Sequence, residues 1–507
     1  MNTVGEYLEE IIEKCGGFGR FQFVLVIILF ASKISVTWTM LMMSFAGAEP
    51  DWWCVEKDGG NETFKSCSSM DNSTCQRFRF DSSMSTVLSE WNLVCDKKSI
   101  TSSITTIQMG GVLVGGLVVG QMADFLGRKP TLFFSLFLIS AANIAAYFSV
   151  SWEMFAVLRF VMGISCGMIL TVYLVWMYEF LTISKRAIVA GVPSWTLFAA
   201  IFALVSWLLH DWKYVHLATA ISAAPLLLTW WFMPESFRWL VSHKKFDDAK
   251  KVIERMAKFN GVPVPDLSDL EKIALKEMER ETQRTYTLLD LFKSRFLRKN
   301  TLLLAFMWMT CGYVYYAISF NVQKLSGNIY LNMFLLSMVE IPANAVTICL
   351  NNKFGRGKTG ILFFVVCALG ALGVALTDVT SIDPDLEGQL LNGFALTSKL
   401  GIAAAWVSLA VLSTEVYPTV VRNIGYGFQN TAARVGAMVA PQMIYLSDIY
   451  PGLLYFLSAG LVVISVICMY FAAETNNVKL KDTLDSEKEK QDIHLGDTDK
   501  EMQFTKL

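Results

Sequence analysis

Charge is scarce in this sequence. Only 17% of its 507 residues are Asp, Glu, Lys or Arg, against 54% hydrophobic, and the mean hydropathy is +0.44. A soluble globular chain of this length is not so apolar, which places the protein in a lipid bilayer. The net charge of −1 supplies no basic field, and no basic-aromatic stripe appears, so nucleic acid is not a partner. Histidine is rare as well. His210, His216, His243 and His494 fall at span ends or in hydrophilic segments rather than as a metal-ligand constellation, and no nucleophile motif accompanies them. No catalytic residue, metal site or enzymatic role is therefore assigned. There is no Gly-x-x-x-x-Gly-Lys-Ser/Thr loop, which argues against ATP hydrolysis as a driving force. Residues 1–20 lack the basic start, short apolar core and small-residue cleavage site of a signal peptide.

Long apolar runs are what the chain has instead. Twelve spans are expected, near 21–46, 102–123, 131–150, 152–176, 187–209, 215–233, 301–320, 331–350, 360–376, 390–413, 424–447 and 451–471. At about 1.5 Å per helical residue, runs of about twenty cross roughly 30 Å of hydrocarbon. Gly111, Gly115, Gly116 and Gly120 in the second give two overlapping small-xxx-small spacings that let helix backbones approach. Arg128, Lys129, Lys185, Arg186, Lys353, Arg356, Lys358 and Arg422 all fall in short loops on one face. That face also holds the N-terminal segment 1–20, the long charged loop 242–300 and the tail 473–507, and by the positive-inside bias it is cytoplasmic.

The loop 47–101 then lies outside. It carries Cys54, Cys67, Cys75 and Cys95 and the acceptor triplets that begin at Asn61 and Asn72, the composition of a disulfide-bonded, glycosylated external loop. Four cysteines allow three pairings, and the spacing does not choose among them. In the loop 242–300, Ala249, Val252, Ile253 and Met256 make an apolar stripe, and Ser268 to Glu271 has the capping-box pattern, so short amphipathic helices are expected. The tail 473–507, with interleaved charges and few large apolar residues, is expected to be disordered.

The chain is duplicated. Gly127-Arg128 recurs as Gly355-Arg356 at a distance of 228 residues, and the acid-to-base step Glu179 to Arg186 recurs as Glu415 to Arg422 at a distance of 236. The fold class is thus an all-α membrane protein of twelve helices in two six-helix pseudo-repeats, 21–241 and 301–472. This is one plan on which secondary transporters are built, with cargo bound between the halves near the midplane.

Among the charges that stand inside spans, Lys33, Glu340, Lys399 and Arg434 are singled out. A guanidinium at mid-bilayer costs about 2.5–3.5 kcal/mol even on the most lenient insertion scale, so it is kept only beside a partner or a wet cavity. These four are the candidate cargo contacts, joined by Asn344 one turn from Glu340 and by Tyr313 and Tyr316 in the seventh span. Helical spacing puts Tyr313, Tyr316 and Phe320 on one stripe and directs Tyr315 elsewhere. Aromatic faces hold an organic ammonium by about 0.5–2 kcal/mol. Each residue also has a packing role open to it: Arg434 as a strut between helices, Lys33 snorkelling to an interface, the tyrosines as ordinary core.

Gly120-Gln-Met-Ala-Asp124-Phe-Leu-Gly127-Arg128-Lys129 resembles the cytoplasmic signature of the major facilitator superfamily, and Arg159 with Gly163 resembles its fourth-span pattern. Four further motifs, together with the large external loop, are similar to the organic cation, carnitine and organic anion transporters. These are Glu90-Trp-Asn-Leu-Val-Cys95, Pro234-Glu-Ser-Phe-Arg-Trp-Leu240, Thr287-Leu-Leu-Asp-Leu-Phe292 and Glu415-Val-Tyr-Pro-Thr-Val-Val-Arg422. The resemblance implies a plasma-membrane carrier of small organic ions working by alternating access, with no cofactor beyond a coupling ion such as Na+ or H+. It implies conformational-switch roles for Gly120, Asp124, Gly127, Arg128, Arg159, Glu179, Arg186, Glu235, Arg238, Glu415 and Arg422. The second copy departs from the pattern, with Asn352 where the acid would stand.

By the same resemblance, cation carriers are acidic at the position of Arg434, whereas anion and carnitine carriers have arginine. The stretch Val339 to Ala343 is similar to the cation and carnitine types, and anion carriers place a lysine where this chain has Asn344. Cations or carnitine-like zwitterions are the expected cargo, with organic anions as the alternative and a non-transporting receptor or scaffold as the reading from another class. The ending Thr505-Lys-Leu507 is similar to ligands of PDZ domains, which capture a terminal carboxylate at a sheet edge.

Overall fold

The computed structural model describes residues 4–55, 67, 75, 78–281, 287–380, 383–418 and 420–475. Among the described residues twelve helical spans follow one another in the expected order. Spans one to six are Arg20–Leu41, Lys98–Leu126, Arg128–Tyr147, Trp152–Glu179, Ser194–Leu209 and Trp212–Leu228. Spans seven to twelve are Arg295–Phe320, the pair Ile329–Met338 and Glu340–Phe354, Arg356–Val379, Pro384–Val416, Arg422–Ile449 and Leu453–Phe471. Among the described residues nine of these are both long and apolar enough to cross a membrane. The remaining three are span five, span six and span eleven. The first two are short, at 16 and 17 residues; span eleven carries Arg434 and Asp448 within its length.

Two proline positions move boundaries away from the apolar pattern. The sequence starts span five near residue 187, but the chain forms a separate helix, Ile183–Ala190, and span five begins only after Pro193. Proline has no N–H and forces its predecessor out of the α region, so a continuous helix is not available there. Span eight is interrupted at its middle, between Met338 and Glu340. Pro342 removes the hydrogen bond to the Met338 carbonyl and crowds it, and the next bond, from the Ala343 N–H to the Val339 oxygen, is stretched to 3.4 Å. Glu340 therefore opens a half-helix, where an acid is favoured by the exposed N–H groups and the positive dipole end.

The loop between spans one and two contains a two-stranded antiparallel pair, Trp52–Cys54 with Phe78–Phe80. Of the three possible pairings the chain adopts Cys54–Cys75 and Cys67–Cys95. Asn61 and Asn72 lie outside the described residues, as does the tail from 476, including Thr505-Lys-Leu507. The loop 242–300 contains the helices Phe246–Asn260 and Leu270–Glu281, and the stripe residues Ala249, Ile253 and Met256 are buried. The N-terminal segment is also helical at Val4–Lys14, burying Leu8, Ile11 and Ile12.

The chain forms two compact units. The first comprises Met1–Gln283, Ala317–Met338 and Met438–Ile449; the second comprises Arg284–Tyr316, Val339–Ala437 and Tyr450–Leu507. The boundary does not follow the sequence repeat, because parts of spans seven, eight and eleven are bonded into the first unit. Ser44 donates to the Ser319 carbonyl at 3.0 Å and Thr106 to the Met438 carbonyl at 3.2 Å. Asp448 receives both Lys98, at 3.0 Å, and Lys324, at 2.5 Å. Within the same unit spans two and four meet glycine to glycine. A Cβ added at Gly111, Gly115, Gly163 or Gly167 would sit inside the radius of a carbonyl oxygen of the facing helix, whereas Gly116 and Gly120 have nothing within 4 Å.

Candidate functional site

The charged turns at the basic-loop face repeat a single construction. In the first unit Gly127 adopts φ +109° between spans two and three, a conformation open to glycine. The next residue, Arg128, reaches Asp124 at 2.9 Å and Glu179 at 3.1 Å. Glu235 closes the turn by accepting the Arg128 and Lys129 backbone N–H groups at 3.0 and 3.2 Å. Its oxygen takes the space a Cβ on Gly127 would need. Burial raises the Glu235 carboxyl above the usual carboxylate range, against the opposing pull of those N–H donors. Arg186 and Arg238 share a different acid, Glu9 of the N-terminal helix, at 2.5 and 2.8 Å.

The second unit builds the same turn with one part exchanged. Gly355 has φ +93°, and Arg356 pairs with Glu415 at 2.7 Å. The closing carboxylate is Glu474, which accepts the Arg356 and Gly357 N–H groups at 3.2 and 2.9 Å. Sequence reasoning missed it by assigning it to the tail. The signal was available: Ala473-Glu-Thr475 echoes Pro234-Glu-Ser236 at a distance of 239 residues, close to the two repeats already noted. Asn352, in the place of Asp124, is exposed. Glu474→Ala is expected to slow turnover several-fold with normal surface amounts, since two exposed charge-assisted bonds of roughly 1 kcal/mol each are lost. Uptake normalised to surface-labelled protein checks it, and an unchanged rate would count against the role of this turn.

Arg159 lies away from that face, fully buried in the first unit. It donates to the Thr39 carbonyl at 3.1 Å and makes a short bond to the Gln108 side chain. Asn143 donates to the Thr39 hydroxyl at 3.3 Å and bonds the His216 ring at 2.7 Å. A polar network thus links spans one, two, three, four and six. His216, read from sequence as a span-end residue, is fully buried inside it. Lys33 occupies its own pocket in this unit, donating to Ser194 at 2.7 Å with the Tyr173 and Phe30 rings 5.2 and 5.8 Å away.

The remaining mid-span candidates belong to the second unit, and most of them form one chain of contacts. Lys399 pairs with Glu340 at 3.2 Å, both side chains almost fully enclosed. Its ammonium stands 3.1 Å above the centre of the Tyr315 ring. Tyr315 meets the Tyr316 and Trp406 rings edge-on at 5.4 and 5.6 Å, and the Tyr316 hydroxyl accepts from Arg434 at 3.4 Å. Among the described residues no carboxylate lies within ion-pairing distance of Arg434. Asn344 places a buried side-chain oxygen one turn from Glu340, with no hydrogen-bond partner among the described residues. Two expectations are altered. Tyr315, set aside by helical spacing, is the ring under Lys399. Tyr313 turns away from the cluster, its hydroxyl facing the Leu454 carbonyl at 3.4 Å.

The profile of the family described as "Sugar (and other) transporter" matches residues 61–483. The chain belongs to this family. Similar proteins include mouse "Solute carrier family 22 member 4", 32% identical over 79% of this chain and 72% of that protein. Human "Organic cation/carnitine transporter 2" is 31% identical over 80% of this chain and 72% of its own length. Mouse "Organic anion transporter 3" is 28% identical over 94% and 93%. The inward-open structure of the xylose transporter XylE from E. coli covers 90% of this chain and 97% of its own, with a TM-score of 0.64 at 14% identity, a likeness of fold. The protein is accordingly a membrane transporter with the major facilitator fold, and the motif resemblance to organic cation, carnitine and organic anion transporters is met in its relatives.

Proposed function

We propose that this transporter carries small carboxylate-bearing organic ions, carnitine-type zwitterions foremost, across the plasma membrane by alternating access, with both termini cytoplasmic. One observation carries the reading. Arg434 is a guanidinium inside span eleven whose hydrogen-bond partner is a neutral phenol. A cation held in that setting without a carboxylate of its own is ready for one from the cargo, and the planar fork binds it through two hydrogen bonds. Tyr316 lies beside it, and the unpartnered oxygen of Asn344 can accept from a hydroxyl or amine. The relatives are named for organic cations, for carnitine and for organic anions, a range that includes carboxylate-bearing cargo. The two turns closed by Glu235 and Glu474 would form and release as transport proceeds.

Uptake of labelled carnitine, benzoate and tetraethylammonium into expressing cells, with and without sodium and at two pH values, tests the proposal. Saturable uptake of a carboxylate is expected, and its dependence on sodium or on the proton gradient identifies a coupling ion. A chain that reaches the surface and moves none of the three would instead be a receptor or scaffold.

A further inference from the structure

We infer that Lys399 occupies, from within the folded chain, the subsite that a cargo's ammonium group would otherwise take, and so determines which charges the transporter accepts. This rests on the proposed carriage of carboxylate-bearing ions and adds the rule by which simple cations are refused.

A buried acid beside an aromatic face is the combination that recognises an organic ammonium, the acid by charge and the ring by its quadrupole. The second unit contains such a place. Glu340 opens the lower half of the broken span eight, and the Tyr315 ring is held by edge contacts from Tyr316 and Trp406. Lys399 fills it, 3.2 Å from the carboxylate and 3.1 Å from the ring centre. Only 3% of the lysine side chain and 6% of the glutamate side chain are exposed, so the site is closed over its occupant. A tethered ligand competes at an effective concentration of about millimolar or above. A free amine at micromolar levels does not displace it.

Charge accounting leads the same way. Lys399, Glu340 and Arg434 together leave one positive charge, and a cargo that closes this balance carries a carboxylate. A zwitterion remains acceptable, because its carboxylate answers Arg434 while its ammonium needs no acid. A cation without a carboxylate meets a net positive cluster whose one acid is taken. With Lys399 neutralised, its contacts to Glu340 and Tyr315 no longer compete with such a cation.

The experiment compares wild type, Lys399→Met and the double variant Glu340→Gln with Lys399→Met, each normalised to surface protein. Wild type is expected to take up benzoate or carnitine and to ignore tetraethylammonium, neither carrying it nor being inhibited by it. Lys399→Met is expected to gain tetraethylammonium uptake at least tenfold over wild type. The double variant, with no acid to offer, is expected to lose that gain. A role of Lys399 in folding alone would not produce a new cargo.

The inference is overturned if Lys399→Met reaches the surface and gains no cation. It is overturned equally if wild type is inhibited by tetraethylammonium at concentrations comparable to its carboxylate cargo, a measurement that does not depend on any variant folding. Failure of the parent reading looks different: wild type then carries no carboxylate at all.

Discussion

Arg434→Ala is expected to abolish uptake of carboxylate-bearing cargo while leaving the protein at the cell surface in normal amounts. In the folded chain Arg434 makes one long hydrogen bond to a neutral hydroxyl, at 3.4 Å. Little folding energy is at stake, because an N–H to phenol bond of that length contributes no more than about 1 kcal/mol. The cargo's loss is far larger. Removing one partner of a desolvated charge pair costs roughly 2–5 kcal/mol, which is about 30-fold to several thousand-fold in affinity. Arg434→Lys keeps the charge and loses the two-pronged geometry, so it is expected to retain a minor fraction of uptake. Initial rates of labelled carnitine and benzoate, divided by surface-biotinylated protein, read the effect. If Arg434→Ala carries either cargo at the wild-type rate, the guanidinium is a strut between helices and the cargo site must be sought elsewhere.

Much of this was legible in the sequence because a bilayer imposes strong rules. Apolar runs have to be helices, since backbone groups find no water in hydrocarbon. Charges within those runs have to face something polar. Both rules act residue by residue along the chain, so the span order and the charges inside spans follow from composition and spacing. What escaped depends on contacts distant in sequence. Helical spacing separates Tyr315 from Tyr316 but cannot say which of the two meets Lys399 and which meets Arg434; the spans bearing those cations decide it. Glu9 serves Arg186 and Arg238 across about 180 and 230 residues, and no local pattern marks it as their acid. Glu474 was hidden because it follows the last span, where charge reads as tail. The break at Val339 was visible in Pro342, yet an apolar window of twenty residues passes over one proline. The cysteine pairing required the strand register that brings Cys54 opposite Phe78.

Gly115→Ala and Gly163→Ala are expected to lose nearly all surface protein, whereas Gly116→Ala is expected to be indistinguishable from wild type. All three glycines stand in spans two and four, and intrinsic helix propensity favours alanine at each by about 1 kcal/mol. Propensity alone therefore predicts a small gain everywhere. Packing predicts opposite signs. At Gly115 the added methyl would overlap the Ile164 carbonyl, and at Gly163 it would overlap that of Gln108. Both obstacles are backbone within continuous helices, so neither can swing aside as a side chain would, and the two spans must separate along their length. Overpacking of that kind costs about 3 kcal/mol or more, a large share of the roughly 5–15 kcal/mol that holds a folded domain together. Close approach is also what lets helices associate in lipid, where burial of apolar surface gives no net drive, so pushing them apart removes the attraction as well as adding the clash. Gly116, on the same helix with open space around it, meets neither penalty. Surface biotinylation and total expression of the three variants, run side by side, separate the two accounts: equal amounts of all three would mean that spans two and four are not packed through their backbones.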